Sequence, residues 1–254
     1  MTRVWASIFI VSLLLVPGKI LAQDAAGFIQ KGDSAYAAMN NDVALENYRK
    51  AVDIEPKHYE ALWKLSRAYV DVGEKLTDKD KRKEYFKKAE EAARKAIEVN
   101  PDGSKGHLYL SIALGRVALD ASPKERIRLS KEIKAEVDKA LELDPNDDIA
   151  WHVLGRWHRK LATLSWIEKK FANIFLGGVP KEASVQKAAE CFQKAIELNP
   201  DHINHHLELA ITYEKLDQKE KAVQEYKKVL ELPKKDADDD EHKAYAQERL
   251  KKLQ

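Results

Sequence analysis

Small and apolar residues recur at set distances ahead of a repeated stop. Five stretches end alike: Ala51-Val52-Asp53-Ile54-Glu55-Pro56, Ala96-Ile97-Glu98-Val99-Asn100-Pro101, Ala140-Leu141-Glu142-Leu143-Asp144-Pro145, Ala195-Ile196-Glu197-Leu198-Asn199-Pro200 and Val229-Leu230-Glu231-Leu232-Pro233. Twelve places before the proline stand Ala44, Ala89, Ile133 and Ala188. Eight before stand Tyr48, Ala93, Val137 and Phe192, and five before stand Ala51, Ala96, Ala140 and Ala195. The last copy is one residue shorter and supplies Ala222, Tyr226 and Val229. Steps of four and three keep these positions on one helical face. The small residues admit a neighbouring helix at close range, and the aromatic fills the gap beside it.

A second helix precedes each of these. It carries an apolar or ring residue followed by an apolar-small pair: Phe28 with Lys31-Gly32, Leu62 with Leu65-Ser66, His107 with Leu110-Ser111, Trp151 with Leu154-Gly155, His206 with Leu209-Ala210. The prolines lie 45, 44, 55 and 33 residues apart. The first and last units are therefore compact, and the middle three carry insertions between their helices. The first insertion, around residues 74–82, is charged and extends a helix. The second contains Ser122-Pro123-Lys124-Glu125, a helix start with proline in the first turn. The third is aromatic. Leu154, Trp157, Leu161, Leu164, Phe171 and Phe175 form one stripe, which predicts a single long helix over 148–176, stopped by Gly177-Gly178. After Pro233 the acids of 236–241 open a last amphipathic helix that ends near Leu253 on Lys251-Lys252.

The helix-pair pattern resembles the tetratricopeptide repeat over residues 25–233, with Trp151, Leu154 and Gly155 matching that repeat's tryptophan-leucine-glycine motif in full. The resemblance implies an all-α solenoid of five helix pairs with a C-terminal capping helix. The repeats run over 25–58, 59–103, 104–147, 148–202 and 203–235, and the cap over 236–254. Stacked helix pairs cannot bury a core singly and present a long concave surface, which favours binding over catalysis. A narrower resemblance rests on His152-Val153-Leu154-Gly155-Arg156-Trp157, Leu164-Ser165-Trp166, Lys169-Lys170, Phe175-Leu176-Gly177 and Pro180. This block is similar to the regulator of microtubule dynamics family, whose members are non-enzymatic, helical and, in animals, associated with microtubules and organelle membranes.

The first 22 residues differ from the rest. Arg3, the thirteen-residue, largely apolar run Val4–Val16, Pro17-Gly18 and Ile20-Leu21-Ala22 read as a signal peptide cleaved after Ala22. The run is short for a spanning helix, so no membrane span is expected after cleavage. The mature chain, 23–254, would then be periplasmic or secreted, where microtubules are out of reach, so the fold is carried over from the family and the microtubule role is not. Without Arg3 and Lys19 it holds 42 basic and 42 acidic residues. That balance excludes general nucleic-acid affinity. Cys191 is the only cysteine, so no internal disulfide forms, and it reads as a buried structural thiol beside Phe192.

Catalytic and cofactor motifs are missing: no His-Glu-x-x-His, no nucleophile elbow, no phosphate-cradling glycine loop. His202 and His206 stand four apart, a zinc-compatible spacing, with His205 between them. His206, however, occupies the packing position that Trp151 holds one repeat earlier, so no metal or cofactor is expected. The repeat register places Trp63, Arg67, Leu108, Ile112, Arg116, His152, Arg156, Arg159, Lys160, Leu207, Ile211 and Lys215 toward the groove. The candidate partner-binding residues are Trp63, Arg67, Arg116, His152, Arg156, Arg159 and Lys160. They suit an acidic peptide, a terminal carboxylate or a lipid head group. The competing reading is a solvated face neutralised by acids such as Asp71 or Glu214. Trp166, Phe171 and Phe175 are either core or an apolar contact patch. The sequence thus points to a protein-interaction scaffold, with a carrier of an amphipathic anionic ligand or an accessory subunit of an envelope complex as alternatives.

Overall fold

The computed structural model describes residues 24–175, 178, 180 and 182–253. Residues 1–22, read above as a signal peptide, lie outside the described residues. Twelve α-helices make up the described fold: α1 (Ala25–Ala37), α2 (Asn41–Ile54), α3 (Tyr59–Lys75), α4 (Lys79–Val99), α5 (Ser104–Val117), α6 (Pro123–Leu143), α7 (Asp148–Ala162), α8 (Trp166–Phe175), α9 (Val185–Leu198), α10 (Ile203–Lys215), α11 (Lys219–Glu231) and α12 (Asp239–Leu253). The pairs α1/α2, α3/α4, α5/α6, α7/α9 and α10/α11 stack in order, α8 is inserted in the fourth pair, and α12 caps the fifth. This is an all-α helical-repeat solenoid.

The recurring proline ends each helix by a common mechanism. Proline forces extended backbone on the residue before it. Glu55, Asn100, Asp144 and Asn199 all adopt such a conformation, with ψ between 84° and 91°. Each sends its N–H back to the carbonyl of the register alanine, Ala51, Ala96, Ala140 or Ala195. Six residues after three of the prolines a ring nitrogen returns to the proline carbonyl: His107 to Pro101 at 2.8 Å, Trp151 to Pro145 at 2.9 Å, His206 to Pro200 at 2.9 Å. The ring positions noted in the sequence are therefore clasps that set the angle between successive units.

The register is buried as its spacing requires at every position but Ile133, the one large residue at its first place, which is half-buried. Ala44, Tyr48, Ala51, Ala89, Ala93, Ala96, Val137, Ala140, Ala188, Phe192, Ala195, Ala222, Tyr226 and Val229 are all fully inaccessible. The close approach is visible at Gly155, where a Cβ would stand 2.9 Å from the Phe192 ring. Burial is divided among successive clusters, one around Leu108–Trp157 and another around Phe192–Tyr226, as expected of stacked repeats.

The insertions lengthen α4 and α6 to 21 residues each. Ser122 caps α6 and Pro123 opens it. The third insertion departs from the expected long helix. α7 stops at Ala162, where the Thr163 hydroxyl donates back to the Arg159 carbonyl. Ser165 and Glu168 then form a reciprocal capping box: the Ser165 N–H donates to Glu168 Oε2 at 2.9 Å, and the Glu168 N–H donates to Ser165 Oγ at 3.3 Å. Two sets of local donors are satisfied by breaking the helix, so α8 starts afresh at Trp166. The last acidic stretch opens α12 three residues later than its first acid, because Asp239 Oδ2 accepts the N–H groups of Lys235 and Asp236, both at 2.8 Å.

Candidate functional site

The first helices of the pairs line the concave face, and they enclose a cavity of about 740 Å³. The end of α1 supplies Tyr36, α3 supplies Arg67, Asp71 and Glu74, and α5 supplies Tyr109, Ile112 and Arg116. His152, Arg156, Arg159 and Lys160 come from α7. Ile127, Ile133, Leu161 and Leu164 add apolar side chains to the lining. The segment Lys235–Asp238 forms the facing wall, and beside it Lys75 of α3 pairs with Glu241 of α12 at 2.7 Å. Of the candidate residues, Arg67, Arg116, His152, Arg156, Arg159 and Lys160 line one cavity. Trp63 does not; it stacks on Tyr109, 5.3 Å away and nearly parallel. Leu108, also assigned to the groove by the register, is fully buried in the core.

The cations have unlike surroundings. Arg159 is a structural clamp: its Nη1 donates to the Glu208 carbonyl at 2.8 Å and to Thr212 Oγ1 at 3.0 Å, and its Nη2 pairs with the Glu208 carboxylate. Here the neutralised-face reading applies. Arg116 is paired with Glu74, and burial pushes its pKa down. Arg156 is looser, with Glu208 at 3.6 Å and 42% of its side chain exposed. Lys160 is exposed and makes no ion pair among the described residues. Arg67 has no carboxylate within ion-pair distance among the described residues. Its guanidinium lies 3.6 Å over the Tyr36 ring and donates to the Tyr48 hydroxyl at 3.2 Å, while its Nε is sealed from solvent without a partner among the described residues. The Tyr48 hydroxyl in turn donates to Asp33 at 2.8 Å, and Lys64 holds the other Asp33 oxygen at 2.7 Å.

Asp71, one turn beyond Arg67, is the least comfortable group in the cavity. Its Oδ2 is shut off from water and has no hydrogen-bond partner among the described residues. Burial, reinforced by Glu74 and Asp238, pushes its pKa up to about 7, and Arg67 only partly opposes this. The sequence named Asp71 as a possible internal partner and offered no sign of this strain, because Asp238 reaches it only through the curvature of the array. Glu214, the other suggested partner, is taken by Arg249 of the cap and by the Tyr226 hydroxyl.

The histidines divide. Both ring nitrogens of His206 are engaged, with Nδ1 2.6 Å from Glu225 and Nε2 2.9 Å from the Pro200 carbonyl. His202 and His205 stack at 4.1 Å, and His152 of α7 meets His205 at 2.9 Å between ring nitrogens. That contact spans 53 residues and has no sequence signal. Cys191 is buried, which pushes its thiol up to about 12 and leaves it inert. Trp166 is 71% exposed, with Lys170 Nζ 4.9 Å from its ring. The side chains of Phe171 and Phe175 lie outside the described residues. Among the described residues no helix is long and apolar enough to cross a membrane.

The family model for regulator of microtubule dynamics proteins 1-3 matches residues 28–254. Regulator of microtubule dynamics protein 3 of Rattus norvegicus is 36% identical over 139 residues, covering 55% of this chain and 29% of the rat protein. Protein 2 of Homo sapiens is 30% identical over 195 residues, covering 76% of this chain and 46% of the human protein. The chain thus spans less than half the length of these relatives. A tetratricopeptide protein of Thermus thermophilus shares the fold at 21% identity and a TM-score of 0.66, covering 88% of this chain and 98% of its own. PilF of Pseudomonas aeruginosa follows at 19% and 0.54, covering 90% and 91%. By this match over nearly the whole described length, the chain belongs to the regulator of microtubule dynamics family.

Proposed function

We propose that the protein is a non-enzymatic interaction scaffold that takes an extended, acidic segment of a partner protein into its concave cavity. The observation that carries the reading is the cavity itself. It collects side chains from α1, α3, α5, α7 and the 235–238 segment, and its volume lies within the range of binding pockets, roughly 300–1,000 Å³. Arg156 and Lys160 are the cations with capacity to spare, since Arg159 is committed to Glu208. Reversing both, Arg156→Glu with Lys160→Glu, is expected to weaken capture of an acidic peptide by at least tenfold and to leave helicity unchanged. A charge-assisted contact is worth about 1.5–3 kcal/mol. Fluorescence anisotropy with labelled acidic peptides measures it, and affinity that survives the reversal moves the site elsewhere.

A second reading, a carrier for an amphipathic anionic ligand, is favoured by one feature: the cavity lining combines the cations with the apolar side chains of Ile127, Ile133, Leu161 and Leu164. Lipid extracted from the purified protein, identified by mass spectrometry, distinguishes the two. The proposal places the scaffold outside the cytoplasm, on the strength of the charged-apolar-small pattern of residues 1–22. N-terminal sequencing of the cell-made protein is expected to begin at Gln23. A membrane-bound form beginning at Met1 or Thr2 defeats export by cleavage.

A further inference from the structure

The His152 ring lines the cavity, and its Nδ1 lies 2.9 Å from His205 Nδ1. Two ring nitrogens at that distance share one hydrogen, so one donates and the other accepts. The direction is decided one residue further along. His205 Nε2 lies 3.0 Å from Asp148 Oδ2, which also accepts from Asn199 Nδ2 at 2.9 Å. Burial alone would raise the Asp148 carboxyl, but these hydrogen bonds from His205 and Asn199 hold it at about 2. An ionised carboxylate only accepts, so the hydrogen of His205 sits on Nε2. Burial pushes the pKa of both histidines below its ordinary value, which favours their neutral rings, although Asp148 partly opposes this at His205. A neutral His205 bearing Nε2–H has a bare Nδ1. His152 must then donate from Nδ1, and its own Nε2 is left bare.

No protein donor meets that nitrogen among the described residues. The other groups around the ring do not offer one. Phe192 of α9 meets it edge-on at 5.4 Å, and His202 of α10 stacks on His205, with Asp236 3.6 Å beyond it. Arg159, on the same helix, is occupied by Glu208. Arg156, one turn from His152, keeps donors free. The wall therefore presents one bare acceptor and, beside it, one charged donor. A carboxylate or a phosphate would set lone pair against lone pair at His152. An amide supplies both an N–H and a carbonyl.

We infer that His152 Nε2 accepts a hydrogen bond from an amide N–H of the bound segment, that Arg156 donates to an amide carbonyl beside it, and that Asp148 and His205 are positioning residues that hold His152 in this tautomer. The inference rests on the peptide reading above and names the group that the cavity recognises. Main-chain amides and Asn or Gln side chains share this chemistry.

Two measurements test it. In the ligand-free protein at pH 7.5, a multiple-bond ¹H–¹⁵N correlation spectrum is expected to show His152 protonated at Nδ1 and bare at Nε2. A proton on Nε2, or a doubly protonated ring, overturns the inference whatever the protein binds. For the ligand, the probe is the tightest binder from a display library of random dodecapeptides, synthesised and titrated calorimetrically. His205→Leu removes the acceptor for His152 Nδ1–H, and is expected to move the His152 proton to Nε2 and weaken binding at least tenfold. His205→Asn, whose Oδ1 stands near the lost Nδ1, is expected to restore both to within about threefold. Unchanged affinity in the Leu variant while its His152 proton moves defeats the contact. N-methylation of the peptide at a single main-chain position, or Asn/Gln→Ala substitution in it, identifies the amide by a tenfold loss; loss at neither overturns the ligand assignment. A library without any binder to the wild-type protein defeats the peptide reading and the ligand half with it, while the spectrum still decides the tautomer.

Discussion

Replacing Phe192 with alanine is expected to lower the unfolding free energy by about 3–5 kcal/mol, the range for emptying a buried aromatic site. Phe192 is fully inaccessible, faces the glycine at 155 and meets the edge of His152. Gly155 has no side chain to move into the space, and α7 and α9 are held apart by their other contacts, so the void cannot collapse. Because each repeat is stabilised chiefly by its neighbours, the loss is expected to uncouple the last two units. Urea unfolding followed by circular dichroism should broaden or split into two transitions. A shift below about 1 kcal/mol would show that α9 does not pack on α7 as described.

The second large effect has the opposite sign. Asp71→Asn is expected to stabilise the protein above pH 7 and to do little below pH 4. The folded-state pKa of Asp71 is raised from the ordinary 3.8 to about 7. The folded protein therefore holds this proton more tightly than the unfolded chain. Stability from the protonated group is fully present below the unfolded value and is lost as pH rises through 7. A rise of that size corresponds to about 4 kcal/mol at most, and about 2–4 kcal/mol is expected from the substitution at pH 8. The check is thermal unfolding of both proteins from pH 3 to 9. Parallel curves would mean that Asp71 finds a partner after all, and a bound segment donating to its Oδ2 would produce that result when present.

Much of the fold was legible because it is written at short range. The distance from Tyr48 or Phe192 to the next proline lies within one helix, and a proline constrains its own predecessor. Periodicity of three and four residues therefore reports burial directly, which is why the register from Ala44 through Val229 falls on fully inaccessible positions, apart from the half-buried Ile133 at the cavity wall. The aromatic insertion is where that rule breaks down. Its stripe from Leu154 to Phe175 has a helical period throughout, yet Ser165 and Glu168 satisfy each other's donors and start a new helix. The four-residue capping signal was present in the sequence and was masked there by the longer hydrophobic pattern.

The site divides along the same line. The sequence by itself determined that arginines and histidines of the first helices share a register, and stacking side by side brought Arg67, Arg116, His152, Arg156, Arg159 and Lys160 to one cavity. It did not distinguish among them. Glu208 claims Arg159, Glu74 claims Arg116, and Arg156 and Lys160 are left available; those choices depend on distances between helices that no local pattern encodes. The same holds for Asp71 and Asp238, 167 positions apart in the chain. It holds too for Asp148, His205 and His152, whose hydrogen-bond direction is set by a carboxylate on one helix acting through an imidazole on another. Helix propensity, capping and periodicity act within about one turn and survive in the sequence. Desolvation and the pairing of charges act through space, and only the tertiary structure decides them.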